Sequence, residues 1–156
     1  MLSSIKKLIA IAVSMVVMMG VVQAEQLKHK IQDSKKAAHY FEDELNFKIT
    51  PHTVEKMIEG TVKNFTIVDV RDAKSYAEGH VPGAINLPFD KYNNFEGPVV
   101  EYPGLRKDGY NYIYCYELLC NLGQKASKQF AIAGYPVKEM VGGFAAWKER
   151  GFPIEK

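Results

Sequence analysis

The sequence predicts an α/β fold in which helices cover both faces of a mostly parallel sheet. Short apolar segments alternate with amphipathic segments along the chain, and glycine or proline separates many of them. The run Phe65–Val70 is rich in β-branched residues, which is typical of a strand buried in a parallel sheet. With 156 residues, of which 47% are hydrophobic and 24% charged, the chain suits one compact domain and is not disordered in bulk.

The first predicted element of the folded part is an amphipathic helix. Ser34 is a favourable N-cap residue, and Ala38, Phe41 and Leu45 follow at helical spacing on one face. We therefore interpret this segment as a helix that packs its apolar face against the rest of the protein.

Strands and helices then alternate to the end of the chain. Thr50 is an N-cap residue, Pro51 favours the first turn of a helix, and Gly60 ends that helix. Strands are predicted at 47–49, 65–70, 84–87, 111–115 and 137–141, and further helices at 73–78, 121–133 and 144–150. Residues 88–109 carry several turn signals, and a helical turn around Lys91 is compatible with them.

Charge and composition exclude several classes of protein. Twenty Lys and Arg against 18 Asp and Glu give a formal charge of +2, which argues against a nucleic-acid partner. No segment recurs at a fixed period, so a repeat architecture is excluded. Two cysteines, Cys115 and Cys120, are too few for a disulfide-dense scaffold. Any role that they have is therefore local.

Residues 1–24 have the layout of a secretory signal peptide. Lys6 and Lys7 precede the uncharged run Leu8–Val22, and Ala24 supplies a small side chain at the end of the segment. We expect cleavage after Ala24 and a mature chain that is periplasmic or secreted and does not associate with the membrane. The alternative is a membrane anchor, for which the apolar run is shorter than the roughly 20 residues of a spanning helix.

Cys115 stands where an α/β sheet is expected to hold its chemistry. It ends the predicted strand at 111–115, and open parallel sheets bind ligands beyond the carboxyl ends of their strands. Unpaired N–H groups at the start of the next helix would favour a thiolate and an anion beside it. The alternative is an inert cysteine packed in the core. Because the loop 116–121 is too short to bury itself, we favour a reactive Cys115 that solvent reaches.

A series of short motifs resembles the rhodanese-like domains. No single motif is specific, but all of them occur in order and at the expected spacing over about residues 50–153. They are Val68-Asp69-Val70-Arg71, Tyr76, Gly79-His80-Val81-Pro82-Gly83-Ala84-Ile85-Asn86-Leu87-Pro88, Tyr114-Cys115, Gly134-Tyr135, Val137, Gly142-Gly143-Phe144 with Trp147, and Gly151-Phe152-Pro153. The predicted organisation is thus a signal peptide at 1–24, an N-terminal helical extension at 25–46 and a rhodanese-like domain at 47–156.

The resemblance implies a three-layer fold with a five-stranded sheet and a sulfurtransferase activity. Cys115 falls on the family's catalytic position, where the cysteine takes sulfane sulfur as a persulfide. The partners implied are a small sulfur-containing donor and a thiol or cyanide-like acceptor, and no cofactor is implied. The substrate-binding loop would consist of Tyr116, Glu117, Leu118, Leu119 and Asn121.

The active loop departs from the commonest family pattern. Most active members carry a basic residue about five positions after the nucleophile, whereas this loop carries Glu117 and no cation. Its Cys115 to Asn121 segment, CxxxxCN, is similar to a less common subgroup. Only main-chain N–H groups would then stabilise the two charges of thiosulfate, so a neutral or organic persulfide is the easier donor.

Three polar residues near the predicted site are interpreted as structural. Asp69 and Arg71 at a strand end more often form a buried, hydrogen-bonded pair than act as catalytic groups. His80 lies in a Gly-His-Val-Pro-Gly turn, where an organising role is favoured over general-base catalysis. The other histidines lack ligand spacing, so no metal site is predicted.

Cys120 leaves two further functions open. As a resolving thiol it would attack a persulfide or sulfenate on Cys115 and close a disulfide, whereas the simpler alternative is packing. If Cys120 is a resolving thiol, the chain is a thiol-disulfide redox protein that uses both cysteines. A third hypothesis is a non-catalytic rhodanese-like binding module. A phosphatase of the CxxxxxR type is excluded because the loop contains no arginine.

Overall fold

The computed structural model describes residues 18–19, 33–61, 63–89 and 101–156. The predicted signal peptide, apart from Met18 and Met19, and the suggested turn around Lys91 lie outside the described residues. Residues before and after Asp43 fall into separate compact units, and the second unit is Asp43–Lys156. Within the described ranges, no helix is both long enough and apolar enough to cross a membrane.

The second unit is built on a five-stranded sheet in which every pair of neighbouring strands is parallel. The strands are β1 (Lys48–Ile49), β2 (Phe65–Asp69), β3 (Ile85–Asn86), β4 (Tyr110–Tyr114) and β5 (Val137–Met140). The helices are α1 (Ser34–Phe47), α2 (Pro51–Glu59), α3 (Ala73–Glu78), α4 (Leu122–Ile132) and α5 (Gly143–Glu149). The strand order is β1-β5-β4-β2-β3. The predicted α/β fold is therefore confirmed, and the sheet is entirely parallel.

The register of β2 and β4 brings two chain segments together at one edge of the sheet. Asp69 pairs with Tyr114 at the carboxyl ends of these strands, and the Val70 N–H donates to the Tyr114 carbonyl at 3.0 Å. The residues that follow the two strands, Val70 and Cys115, thus leave the sheet side by side, and Arg71 comes next after Val70. This is the edge at which open parallel sheets bind ligands.

Helices cover both faces of the sheet and bury two apolar clusters. One cluster, which includes Val54 and Trp147, lies under α2 and α5, and the Trp147 indole donates to the Pro153 carbonyl at 2.7 Å. The other cluster includes Cys115 and the fully buried Phe130 of α4. Burying a large side chain contributes roughly 1.5–3 kcal/mol, so these two layers supply most of the driving force for folding. Cys115 therefore belongs to a packed layer.

The start of α1 differs from the sequence prediction. The carboxylate of Asp33, rather than Ser34, caps α1 by accepting from the Lys35 N–H at 3.0 Å. None of the 14 residues of α1 is buried, and Leu45 is 80% exposed. What the apolar face of this helix contacts stays a prediction. Thr50 caps α2 and Pro51 begins it, as predicted.

Candidate active site

Cys115 lies directly after β4 and opens the loop 115–121, which we call the cysteine loop. Strand β4 runs between β5 and β2, so Cys115 leaves the sheet near its centre. The loop ends at Asn121, and α4 begins at Leu122. Asn121 stands at the N-cap position without a side-chain capping bond, and the Cys120 N–H donates to the Glu117 carbonyl at 3.1 Å. The loop is therefore a tight turn placed beyond the carboxyl end of a strand, where the sequence predicts it.

Cys115 and Cys120 form a disulfide in the structure, with their Cα atoms 6.4 Å apart. Cys115 is only 4% exposed, whereas Cys120 is partly exposed. The expectation that solvent reaches Cys115 is therefore wrong, because the cysteine packs in the apolar cluster that includes Ala126 and Phe130 of α4. A disulfide sulfur carries no charge, so stabilisation of a thiolate by main-chain dipoles concerns the reduced protein and stays a prediction.

The N-terminus of α5 holds the first residues of the cysteine loop. The Phe144 N–H donates to the Cys115 carbonyl at 2.9 Å, and the Ala145 N–H donates to the Tyr116 carbonyl at 2.8 Å. Gly143, with φ of 57°, makes this approach possible, since a Cβ atom there would lie 2.5 Å from the Cys115 carbonyl oxygen. Gly143 thus allows the main chain at the start of α5 to pack directly against the main chain of the cysteine loop.

Tyr116 links the cysteine loop to the start of α3 by a hydrogen bond. Its hydroxyl donates to the carboxylate of Asp72, which also caps α3 by accepting from the Ser75 N–H at 2.9 Å. The hydrogen bond from Tyr116, followed by those from Ser75, holds the pKa of the Asp72 carboxyl well below its usual range. Asp72 was not identified from the sequence, although an Asp three residues before Ser75 is an N-cap signal.

The tip of the cysteine loop is apolar and faces solvent. Leu118 is 71% exposed and Leu119 is 88% exposed. Glu117 and Leu118 also line an open groove of about 470 Å³ whose other walls come from the start of α2 and from α5. The loop residues between the two cysteines are therefore accessible, even though Cys115 is not.

Asp69 and Arg71 form a buried ion pair below the cysteine loop. The Arg71 guanidinium donates from Nε to both carboxylate oxygens of Asp69 at 3.0 Å and from Nη2 to the Gly79 carbonyl at 2.7 Å. The guanidinium carbon also lies 4.1 Å from the Phe144 ring centroid and 5.9 Å from that of Tyr116. Because its charge is matched by Asp69, Arg71 orders the neighbouring segments and is not an uncompensated cation for an anionic substrate.

His80 lies in the turn that follows α3. Its Nδ1 is 3.0 Å from the Tyr76 carbonyl oxygen, its ring stacks on the Tyr76 ring with centroids 3.8 Å apart, and its Nε2 is 3.8 Å from a Glu155 carboxylate oxygen. These contacts join the turn to α3 and to the last residues of the chain. They are the contacts of a residue that orders a loop.

A small cleft beside the disulfide contains charged residues that sequence reasoning missed. Cys115, Cys120, Lys48 and Glu139 all line this cleft, whose volume is about 30 Å³. Burial raises the pKa of the Glu139 carboxyl, although the Lys48 ammonium and a hydrogen bond from the Gln124 side chain act in the opposite direction. One signal was present, because Glu139 stands two residues after the core-facing Val137 and so points to the same face.

The described residues contain no group of three or more His, Cys, Asp or Glu side chains that could hold a metal ion.

The protein is a small α/β domain with a site built around a cysteine. Its sheet is parallel, and the cysteine loop lies at the carboxyl ends of the strands. The sequence matches the rhodanese-like domain family over residues 50–150. The chain therefore belongs to the rhodanese-like domain family. This confirms the resemblance on which the sequence analysis relies, while membership of the CxxxxCN subgroup stays a prediction.

Individual relatives show the range of proteins in which this domain occurs. The chain is 30% identical over 115 residues to the thiosulfate sulfurtransferase GlpE of Actinobacillus pleuropneumoniae, covering 69% of this chain and 91% of that protein. It is 32% identical over 91 residues to an HTH-type transcriptional regulator of Mycobacterium tuberculosis, covering 58% of this chain but only 38% of the regulator. The crystal structure of the BH2092 protein from Bacillus halodurans has a TM-score of 0.67 at 29% identity, covering 79% of this chain and 86% of that chain.

Replacing Gly143 with alanine tests the contact between α5 and the cysteine loop. We expect Gly143→Ala to lose about 1 kcal/mol from its left-handed backbone and a further 1–3 kcal/mol from the clash with the Cys115 carbonyl. Gly134→Ala is the matched control, because Gly134 has φ of 84° and a Cβ there would meet nothing within 4 Å. Urea unfolding of both variants gives the free energies. Equal losses would show that the close approach contributes nothing to stability.

Proposed function

We propose that the reduced protein is a sulfurtransferase that carries sulfane sulfur on Cys115. The supporting observation is the position of this cysteine, directly after the central strand β4 and at the base of a loop held by α5. The chain is similar, over 69% of its length, to a protein named thiosulfate sulfurtransferase, and this similarity supports the same reaction class.

The proposed reaction moves a sulfur atom without net oxidation. The Cys115 thiolate attacks the outer sulfur of a donor persulfide, the donor S–S bond breaks, and the donor leaves as a thiolate. Cys115 then carries the sulfur as a persulfide. An acceptor thiolate attacks that outer sulfur, forms a new persulfide and regenerates the Cys115 thiolate.

The charges around the cysteine loop favour a donor with little negative charge. The loop itself carries Glu117 and no cation. The Arg71 guanidinium below the loop is paired with Asp69, and the Lys48 ammonium in the cleft beside the disulfide lies 2.7 Å from a Glu44 carboxylate oxygen. A dianion such as thiosulfate would meet the Glu117 carboxylate, and the loop itself has no cation to offset it. We therefore infer that an organic persulfide is the donor and that a small thiol is the acceptor.

The disulfide favours a second candidate function, which is thiol-disulfide exchange. Cys120 can attack the inner sulfur of a Cys115 persulfide, which closes the Cys115–Cys120 bond and releases hydrosulfide. A reducing thiol must then supply two electrons before Cys115 can act again. Such a cycle suits our proposal that residues 1–24 direct the chain to the periplasm or outside the cell, where disulfides persist.

Loading of sulfur on Cys115 is the direct test of the sulfurtransferase proposal. Reduced protein is incubated with glutathione persulfide, and intact mass spectrometry is followed by peptide mapping. We expect one added sulfur on Cys115 in the wild type and in Cys120→Ser, because Cys120 is not the residue that takes sulfur from the donor. Cys115→Ser should gain none. The adduct should also last longer in Cys120→Ser, which lacks the resolving thiol. Loading of Cys120 alone, or of neither cysteine, would refute the proposal.

The redox behaviour of the cysteine pair tests the second candidate. We expect the disulfide to persist in glutathione buffers poised near about −200 mV and to open with a strong dithiol, as measured by counting alkylated cysteines. Opening should lower the free energy of unfolding by about 2 kcal/mol, since a closed loop of this size restricts the unfolded chain. A pair that is fully reduced near −200 mV would exclude a redox cycle in an oxidising compartment, while the loading experiment on Cys115 would stand independently.

A further inference from the structure

The cleft beside the disulfide places a carboxyl group next to the buried cysteine. Glu139 of β5 is the register partner of both Lys48 in β1 and Ile113 in β4. Cys115 follows Ile113 by two positions, and side chains two apart on a strand share a face. The sheet therefore directs Lys48, Glu139 and Cys115 toward the same layer, which α4 covers.

Gly123 in the first turn of α4 leaves space beside both the carboxyl group and the cysteine. A Cβ atom built on Gly123 would lie 3.3 Å from Glu139 Oε1 and 3.7 Å from Cys115 Cβ. Both side chains therefore lie beside a position that has no side chain of its own. The cleft that they share with Cys120, of about 30 Å³, has room for one or two water molecules.

The charges that face this cleft make a buried thiolate expensive. Glu117 of the cysteine loop lines the same cleft as Glu139, and Gln124 of α4 binds the Glu139 carboxylate. The one lining cation among the described residues is Lys48, which pairs with Glu44. Burial and nearby carboxylates both disfavour an ionised thiol. The state in which Cys115 and Glu139 hold one proton between them is therefore favoured over the state in which both groups are ionised.

We propose that Glu139 is the proton partner of Cys115. It is a positioning residue that sets the protonation of the thiol, and it deepens the function proposed above, because it specifies how a buried Cys115 is activated. The carboxylate accepts the proton when Cys115 attacks a donor, and the carboxylic acid returns it when Cys115 is a leaving group.

Reduction of the disulfide illustrates the balance of atoms and electrons. A reductant thiolate attacks Sγ of Cys120, the more exposed of the two cysteines, and the Sγ–Sγ bond breaks. Its electron pair stays on Sγ of Cys115, which takes the proton from Glu139. A second reductant thiol attacks the reductant's sulfur in the mixed disulfide, which frees Cys120 and releases the oxidised reductant.

The test measures the ionisation of Cys115 directly in a Cys120→Ser background. Thiolate ultraviolet absorbance is followed against pH, and the Cys115→Ser, Cys120→Ser double variant supplies the tyrosine background. We expect Glu139→Gln to lower the midpoint by about one pH unit, because a negative charge next to the thiolate is removed. Lys48→Met should move the midpoint upward. Glu78→Gln, a change at an exposed carboxylate of α3, should leave it unchanged.

Each outcome supports or overturns the proposal. An unchanged or raised midpoint in Glu139→Gln refutes it, even where persulfide loading of Cys115 is normal. Loss of loading in every variant, with the midpoint shifted as expected, would refute the sulfurtransferase function and leave the proton coupling intact. If Glu139→Gln does not fold, Glu139→Asp serves instead, because it keeps the charge while withdrawing it by one methylene. We expect Glu139→Asp to lower the midpoint less than one unit, and no shift would again refute the proposal.

Discussion

The close packing of α5 against the cysteine loop is the constraint on which the site depends. Two N–H groups of the first turn of α5 bind the carbonyls of Cys115 and Tyr116, and Gly143 permits the contact. Helix N-termini in α/β proteins commonly offer such N–H groups to an anionic ligand. Here the main chain of the loop takes these two, so the path of the loop is fixed before any substrate arrives.

The burial of Cys115 in the layer under α4 decides how the cysteine can react. A cysteine held in a buried layer loses much of the solvation that would stabilise its thiolate, and no cation of the loop replaces it. The partly exposed Cys120 and the exposed loop tip at Leu118 and Leu119 are, by contrast, open to approach. The two cysteines therefore differ in their surroundings. A reactant can reach Cys120 near the surface, whereas the ionisation of Cys115 depends on the buried groups around it.

The sequence was sufficient for the fold and for the position of the cysteine, but not for its environment. Strand periodicity, glycine and proline signals and the order of the family motifs predicted the parallel sheet and placed Cys115 at a strand end. Exposure could not be predicted, because Cys115 packs in a cluster whose members, such as Val68 of β2 and Phe130 of α4, come from separate parts of the chain. Glu139 was missed for the same reason. Its significance comes from the register of β1, β5 and β4, and a single strand does not reveal which side chains it will meet.

The turn at 79–83 is held by residues from the far end of the chain. The backbone of His80 pairs with that of Glu155, and the Glu155 carboxylate accepts from the Gly83 N–H at 2.8 Å across 72 residues of sequence. Contacts of such long range carry a large loop-closure cost and form slowly. During synthesis on the ribosome this turn cannot be completed before Glu155 has emerged, so the turn that Arg71 contacts through the Gly79 carbonyl is completed later than β2, which precedes it in the chain.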